Sequence, residues 1–143
     1  MSKSERHSAI VPIFQNANNQ LHPNRTFVCF GVARGGTSAV AGTMQRLGVF
    51  MGSDLPSNYE DPRFGPGVPL AEMRDTISGR NAAHHVWGWK FPAAANSLEQ
   101  LHNSLRNPCL IVVFRDAAAT MKGHVRWHNR GILHAAHEVM MQQ

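Results

Sequence analysis

The chain has 143 residues, enough for one domain with a hydrophobic core but too few for two domains of ordinary size. Apolar residues make up 43% of it, and no apolar run approaches the roughly 18 residues that a membrane-spanning helix needs. The formal net charge of +5 suits an anionic ligand, but the basic residues are scattered and aromatic residues are few, so we expect neither a membrane nor a nucleic acid as partner.

The N-terminal segment, residues 1–24, is polar and lacks the long apolar run of a secretory signal. We therefore predict a loosely ordered arm, followed by a single domain over residues 25–143 of a cytoplasmic protein. Cys29 and Cys109 each lie within an apolar run and far from one another, so we expect two free, buried thiols. The nine histidines lack the carboxylate or cysteine partners of a familiar metal site, and we expect no metal.

The first predicted strand covers residues 26–30, a β-branched and aromatic run that ends at Gly31. Such a run is typical of a buried strand in the middle of a sheet. A helix is predicted over residues 37–47 because apolar side chains recur on one face, and Gly48 ends it. Residues 52–69 hold four of the eight prolines, which predicts a long loop of the kind that is usually functional or mobile.

The second half of the chain alternates helices and strands. A short helix is predicted over residues 70–78, a strand over 85–91, a helix over 93–105 with its leucines facing inward, and a strand over 109–114 that should be covered on both faces. A long helix, interrupted or bent near Gly123 and Gly131, is predicted from residue 117 onward. This order predicts an α/β fold of three layers, α/β/α, with a mainly parallel sheet and right-handed connections.

The most informative segment is the glycine-rich turn Gly31-Val-Ala-Arg-Gly-Gly-Thr-Ser38, which follows a predicted strand and precedes a predicted helix. Glycines let several backbone N–H groups converge, and the helix N-terminus adds a partial positive charge, so we predict an anion site. In the Walker pattern G-x-x-x-x-G-K-[ST], the lysine position is Thr37 here, and Arg34 is the cation within the loop. A nucleotide kinase is therefore disfavoured, because the lysine that holds the β- and γ-phosphates is missing.

Five stretches in order resemble sulfotransferases that use 3′-phosphoadenosine-5′-phosphosulfate (PAPS), over about residue 26 to the C-terminus. The turn resembles their 5′-phosphosulfate loop, Arg-[SG]-Gly-Thr-[ST]. Leu47-Gly-Val-Phe-Met-Gly52 resembles the segment that closes their first helix, and Asn58-Tyr-Glu-Asp61 resembles their acidic loop. Trp87-Gly-Trp-Lys90 resembles their W-G-W-K strand, and Ile111-Val-Val-Phe-Arg-Asp116 resembles the end of their I-V-x-x-R-[DN] strand.

This resemblance implies a short version of the P-loop, sulfotransferase-like fold. It also implies a protein that transfers a sulfuryl group from PAPS to a small hydroxyl or amine acceptor. It places Glu60 as general base, Lys90 on the transferring sulfuryl oxygens and Arg115 on the 3′-phosphate. Lys122 stands beside Gly123, where relatives carry a serine, and is a further candidate for binding the nucleotide. The 5′-phosphosulfate would be held by the loop residues Arg34, Gly35, Gly36, Thr37 and Ser38, with Arg34 also stabilising charge during transfer.

Departures from the family pattern keep a second reading open. The serine is replaced by Gly123, Phe91 follows Lys90 where bacterial relatives tend to have aspartate, and the family's C-terminal strands lack a counterpart. The alternative is a non-catalytic protein that binds a nucleotide or phosphate, or assembles. Glu60 and Lys90 would then be solvated charges, Asp116 a helix N-cap, and Trp87 and Trp89 core residues, as their shared strand parity also predicts.

About three core strands are predicted, fewer than is usual for a sheet. Such a sheet exposes an unpaired edge and an apolar face, and surfaces of this kind normally find a partner. We therefore expect a homo-oligomer, with a dimer as the simplest form.

Overall fold

The computed structural model describes residues 23–128 and 141. These residues form a mixed α/β fold around a three-stranded parallel sheet with strand order β2-β1-β3. The strands are β1 (Arg25–Gly31), β2 (Val86–Lys90) and β3 (Pro108–Val113), and the α-helices are α1 (Thr37–Arg46), α2 (Leu70–Ala83), α3 (Ala95–Leu101) and α4 (Ala117–His128). Residues 1–22 of the arm predicted over residues 1–24 lie outside the described residues, and so does Gly131, the second site of a predicted interruption or bend.

The first strand, β1, lies in the middle of the sheet, as its uninterrupted apolar sequence predicts. Strands flank β1 on either side and packed side chains cover both of its faces, so Val28 and Cys29 are both completely buried. The parallel register aligns Val28 with Trp89 and Leu110, so these three side chains share one face. Cys29 lies on the opposite face, in register with Lys90 and Ile111.

The larger core lies on the face of Val28. Trp87 and Trp89 are buried there and stack on each other with ring centroids 5.7 Å apart, while Phe64 stacks on Trp89 at 4.3 Å. Apolar residues of α2 and α3, among them Met73, Ile77 and Leu101, complete this cluster. Burying each tryptophan removes on the order of 150–250 Å² from water, worth about 4–6 kcal/mol before conformational entropy is subtracted. The interpretation of the two tryptophans as core residues is confirmed.

A smaller core covers the other face, where α1 packs on the sheet through Ala41 and Met44 against Cys29 and Met51. Helix α1 ends one residue before Leu47, and Gly48 then adopts a φ of 92°. The Gly48 N–H donates to Gln45 O, and the Val49 N–H donates to Met44 O, at 3.0 and 3.1 Å. This is the left-handed glycine stop that the sequence predicts.

Helices α2 and α3 differ in extent from the prediction. Helix α2 continues five residues past Ser78, because Met73, Ile77 and Arg80 lie on one buried face and their contacts outweigh the weak helix propensity of Gly79. The helix predicted over 93–105 is instead α3 between two short 3₁₀ turns, at 92–94 and 102–104. Its inward-facing leucines remain, with Leu101 and Leu105 buried.

The third strand, β3, is covered on one face only, which corrects the expectation that both faces would be buried. Ile111 and Val113 pack against the smaller core, but Leu110, Val112 and Phe114 are 54%, 44% and 75% exposed. The larger core takes its sheet residues from β1 and β2 and none from β3. Cys109, on this strand, is also only half-buried, whereas both thiols were expected to be buried.

Helix α4 begins at a side-chain cap. The Ala119 N–H donates to Asp116 Oδ1 at 2.8 Å, so the reading of Asp116 as an N-cap is confirmed. The helix then runs through Gly123 to His128, and the interruption predicted at Gly123 is wrong. In the part of the chain that the structure describes, no helix combines the length and apolar character of a membrane span.

Candidate anion-binding site

The glycine-rich turn connects the end of β1 to the start of α1 and lies against the end of β3. At Gly31, with a φ of 147°, a Cβ atom would lie only 2.2 Å from the carbonyl oxygen of Val113. Glycine is therefore required for the two strand ends to approach this closely. Arg34 is an exposed residue with a φ of 65°, a left-handed conformation that is uncommon for residues with side chains and is concentrated at functional sites.

The rest of the turn leads into the first turn of α1. The Gly35 N–H donates to Val32 O at 2.9 Å, so this amide serves the turn itself. Gly36 is the residue before the helix and faces open space, and no side chain caps the helix there. The first N–H groups of any α-helix lack intrahelical acceptors and carry a partial positive charge, and here they belong to buried Thr37 and half-buried Ser38.

Lys90, the last residue of β2, is 2% exposed and is the central side chain of the site. Its Nζ atom donates to Glu60 Oε1 at 3.0 Å, to Asn58 O at 3.1 Å and to Ser38 Oγ at 3.4 Å. These bonds use all three ammonium protons, which satisfies the buried charge. The side chain therefore joins the end of β2, the acidic loop and the start of α1.

The acidic loop is fixed against both the sheet and α1. Glu60 pairs with Lys90 as an isolated parallel β-bridge, and its own N–H donates to Asn58 Oδ1 at 3.1 Å. Tyr59, with a φ of 60°, lays its ring against Gly42 of α1, where a Cβ atom would lie 3.2 Å from the ring. The Glu60 side chain is 31% exposed and ion-paired. The reading of Lys90 as a solvated charge is therefore wrong, whereas Glu60 is both ion-paired and partly exposed to solvent.

The sequence reading missed a second ion pair, between Asp61 and Arg80, behind the acidic loop. Asp61 is fully buried and Arg80 is 7% exposed. Burial lowers the pKa of Arg80, and the hydrogen bond and charge of Asp61 oppose that shift. Asp61 belongs to the acidic loop, but no local sequence pattern marks Arg80, which lies 19 residues further along the chain.

Cys29 lies beneath the turn, with its Sγ atom 3.8 Å from the carbonyl oxygen of Thr37. Burial raises the pKa of this thiol to about 11, while the positive charge of Lys90 acts in the opposite direction. Cys29 is therefore a neutral thiol at physiological pH, and its side chain serves packing beneath the site.

Arg115 and Lys122 are exposed, and neither is a partner in the hydrogen bonds and ion pairs that join Ser38, Glu60 and Lys90 within the described residues. Arg115 nevertheless follows β3 by two residues, and the end of β3 abuts Gly31. Lys122 lies on α4, two turns further along the chain. The structure thus brings Ser38, Glu60 and Lys90 into direct contact, and it places Arg115 near them only through the strand end.

Three cations share one edge of the sheet. Because the strands are parallel, their C-terminal ends coincide, and Arg34, Lys90 and Arg115 follow or end β1, β2 and β3 respectively. This is the edge at which open α/β sheets bind ligands. With one carboxylate, Glu60, among these cations and the start of α1, the arrangement can hold an anion and accept a proton beside it.

No group of three or more possible metal-ligating side chains was found among the residues that the structure describes. Comparisons of the chain with protein-family models, with curated proteins and with solved structures gave no match.

Proposed function

We propose that the chain is a sulfotransferase-like protein on a P-loop type α/β domain, which binds PAPS at the glycine-rich turn and transfers its sulfuryl group to a small hydroxyl or amine acceptor. The observation that carries this proposal is the position of Lys90. Its buried ammonium group lies 3.4 Å from Ser38 Oγ, at the start of α1, and 3.0 Å from the carboxylate of Glu60. A cation, a helix N-terminus and a proton acceptor thus stand together at the end of a glycine-rich turn.

The residues present fit a group with two negative charges. The space in front of Gly36 is open, and Arg34 is exposed beside it in the turn. The backbone N–H groups of Thr37 and Ser38 would receive the 5′-phosphosulfate, together with the guanidinium group of Arg34. Arg115, with Lys122 as a further cation, would receive the 3′-phosphate at the end of β3.

In the proposed reaction Glu60 accepts the proton of the acceptor as the acceptor oxygen or nitrogen forms its bond to sulfur. Arg34 and the first amides of α1 stabilise the negative charge that develops on the bridging oxygen of the breaking sulfur–oxygen bond, while Lys90 neutralises the oxygens of the sulfuryl group in transfer. The products are the sulfated acceptor and adenosine 3′,5′-bisphosphate. Glu60 is the only carboxylate that contacts Lys90 among the described residues, so its position makes it the candidate base.

One observation favours the second candidate, a protein that binds a nucleotide or phosphate without turnover. Lys90 already donates to Glu60, Asn58 and Ser38, and an ammonium group has three protons. In this candidate Lys90 remains a structural cross-link between the acidic loop and α1. In the first candidate it exchanges one of these partners for a sulfuryl oxygen. The two candidates therefore differ in turnover and not in binding.

Binding is tested by calorimetry with adenosine 3′,5′-bisphosphate on the wild-type chain and on two matched variants. Arg34→Ala should weaken binding by about 1.5–3 kcal/mol, the value of a hydrogen bond to a charged group. Arg46→Ala removes the same charge from the far end of α1, about 15 Å away along a ten-residue helix, and should bind like the wild type. Absence of heat at millimolar ligand with a folded wild-type chain would exclude both the PAPS site and the enzyme.

Turnover is tested by following the release of adenosine 3′,5′-bisphosphate from PAPS with 4-nitrophenol and 2-naphthylamine as acceptor probes. The first candidate predicts release above the protein-free rate, with Glu60→Gln and Lys90→Met each slower by about a hundredfold or more. Wild-type binding without release above that rate, for either probe, selects the non-catalytic candidate.

A further inference from the structure

Asp61 stands at the junction between the acidic loop and the interior. Its backbone N–H donates to Lys90 O at 3.2 Å, which completes the bridge between the loop and β2. Its carboxylate points away from the anion site and is fully buried, where it accepts from Arg80, from the Arg63 N–H at 3.1 Å and from Arg63 Nη1 at 3.3 Å. Asp61 therefore fixes the loop immediately after Glu60.

Arg80 forms the buried ion pair with this carboxylate. It projects from α2, and its guanidinium carbon lies 5.5, 5.3 and 5.4 Å from the ring centroids of Phe50, Phe64 and Trp87. Its Nη1 atom also contacts Gly88 O on β2 at 3.5 Å. Three aromatic rings and two acceptors therefore hold the guanidinium in one place, and α2 is rigidly joined to the larger core through Met73 and Ile77.

We infer that the buried pair Asp61–Arg80 positions Glu60 and Lys90 beside the glycine-rich turn. Arg80 anchors Asp61 to α2 and β2. Because Glu60 directly precedes Asp61, the Glu60 carboxylate lies on the opposite side of the loop, where it contacts Lys90. What Glu60 and Lys90 then do rests on the proposed function, whereas their positioning does not. Asp61 and Arg80 are positioning residues, since both lie behind the loop. Asp61 contacts Lys90 only through a backbone hydrogen bond, and Arg80 contacts β2 at Gly88 O.

Two features make this more than an ordinary buried ion pair. The loop that carries Glu60 holds Tyr59 in a left-handed conformation, with a φ of 60°, so the loop depends on contacts outside itself, which are the packing of Tyr59 on Gly42 and the pairing of Asp61 with Arg80. Glu60 belongs to no strand and pairs with the end of β2 through a single isolated bridge, so strand pairing alone provides little support. Loss of the anchor should release the loop from Lys90 while the sheet and the tryptophan core persist.

The test measures the accessibility of Lys90 by its rate of acetylation with acetic anhydride, read by mass spectrometry, with exposed Lys122 as internal reference. In the wild type Lys90 should react far more slowly than Lys122, because its side chain is buried and fully bonded. Arg80→Met and Asp61→Asn should each raise the relative rate at Lys90 by about tenfold or more. Arg74→Met removes an exposed arginine of the same helix, which bonds Gln100 O, and should leave the rate unchanged.

The double variant Asp61→Asn with Arg80→Met separates positioning from stability. It leaves no unpaired charge in the interior, so it should regain much of the stability that either single change removes. Positioning predicts that Lys90 stays reactive in the double variant although the chain is folded by circular dichroism. Regained protection of Lys90 together with regained stability would overturn the inference, and so would unchanged protection in both single variants.

Calorimetry with adenosine 3′,5′-bisphosphate on the same variants separates this inference from the proposed function. If the wild type binds the nucleotide, the double variant should bind it at least about tenfold more weakly than the Arg74→Met control. If the wild type does not bind it, the proposed function fails while the Lys90 acetylation pattern still decides the positioning role. Equal nucleotide binding by the double variant and the control contradicts the inference alone.

Discussion

Gly31 has no room for a side chain at the end of β3, and substituting it gives a measurable test of the turn's geometry. An alanine there would adopt a φ of 147°, which costs on the order of 1–3 kcal/mol in a region that residues other than glycine rarely occupy. Its Cβ would also lie 2.2 Å from Val113 O, so β1 and β3 would have to move apart by about 1 Å, weakening ladder hydrogen bonds worth about 1 kcal/mol each. We expect Gly31→Ala to lose about 3–5 kcal/mol in total.

Two other glycines provide controls that separate the contributions. Gly48 has a φ of 92° and nothing within 4 Å of an added Cβ, so Gly48→Ala should lose only the conformational part, about 1–2 kcal/mol. Gly79 lies within α2, without a positive φ and with open space around it. Gly79→Ala should therefore gain about 0.5–1 kcal/mol from helix propensity.

The assay is urea unfolding followed by tryptophan fluorescence, because Trp87 and Trp89 are buried in the larger core. With a slope of about 1.5 kcal/mol per molar urea, Gly31→Ala should unfold about 2–3 M earlier than the wild type. Equal midpoints for Gly31→Ala and Gly48→Ala would refute the reasoning, since the ends of β1 and β3 would then not approach as described.

Three further predictions concern the thiols, the nucleotide and assembly. Burial raises the pKa of Cys29 from 9.0 to about 11, so the folded state holds the thiol proton more tightly than the unfolded state does. The resulting stability is present below pH 9 and is lost as the pH rises toward 11. Urea midpoints measured at each pH should show this loss in the wild type and not in Cys29→Ala. Arg115→Ala should weaken calorimetric binding of adenosine 3′,5′-bisphosphate by about 1.5–3 kcal/mol, as for a charged hydrogen bond. Light scattering at micromolar concentration should give a mass above the 15.8 kDa of one chain, and Leu110→Lys, which puts a charge on the exposed face of β3, should lower it.

Each of these has a clear contrary result. Parallel losses of stability in the wild type and in Cys29→Ala between pH 9 and 11 would contradict the raised pKa of Cys29. An unchanged affinity in Arg115→Ala removes that residue from the nucleotide site. A monodisperse monomer of the wild type contradicts the expected homo-oligomer.

Local sequence patterns determined the strands, the first helix and the turn between them. An uninterrupted apolar run places β1 in the middle of the sheet, and the glycine at position 48 ends α1 through two local hydrogen bonds. The shared parity of Trp87 and Trp89 put both in the core, because successive strand residues alternate between faces. These features depend on residues a few positions apart, which is why the sequence by itself was sufficient.

Only the tertiary structure decided which charged residues meet. The contact of Lys90 with Ser38 spans 52 positions, and that of Arg80 with Asp61 spans 19, so no local periodicity could have predicted either. The same holds for β3, whose apolar run predicts burial on both faces although helices α2 and α3 pack beside β1 and β2 alone. Burial and ion pairing are determined by which elements pack together, and that depends on the whole chain, whereas hydrophobic pattern and turn chemistry act over a single element.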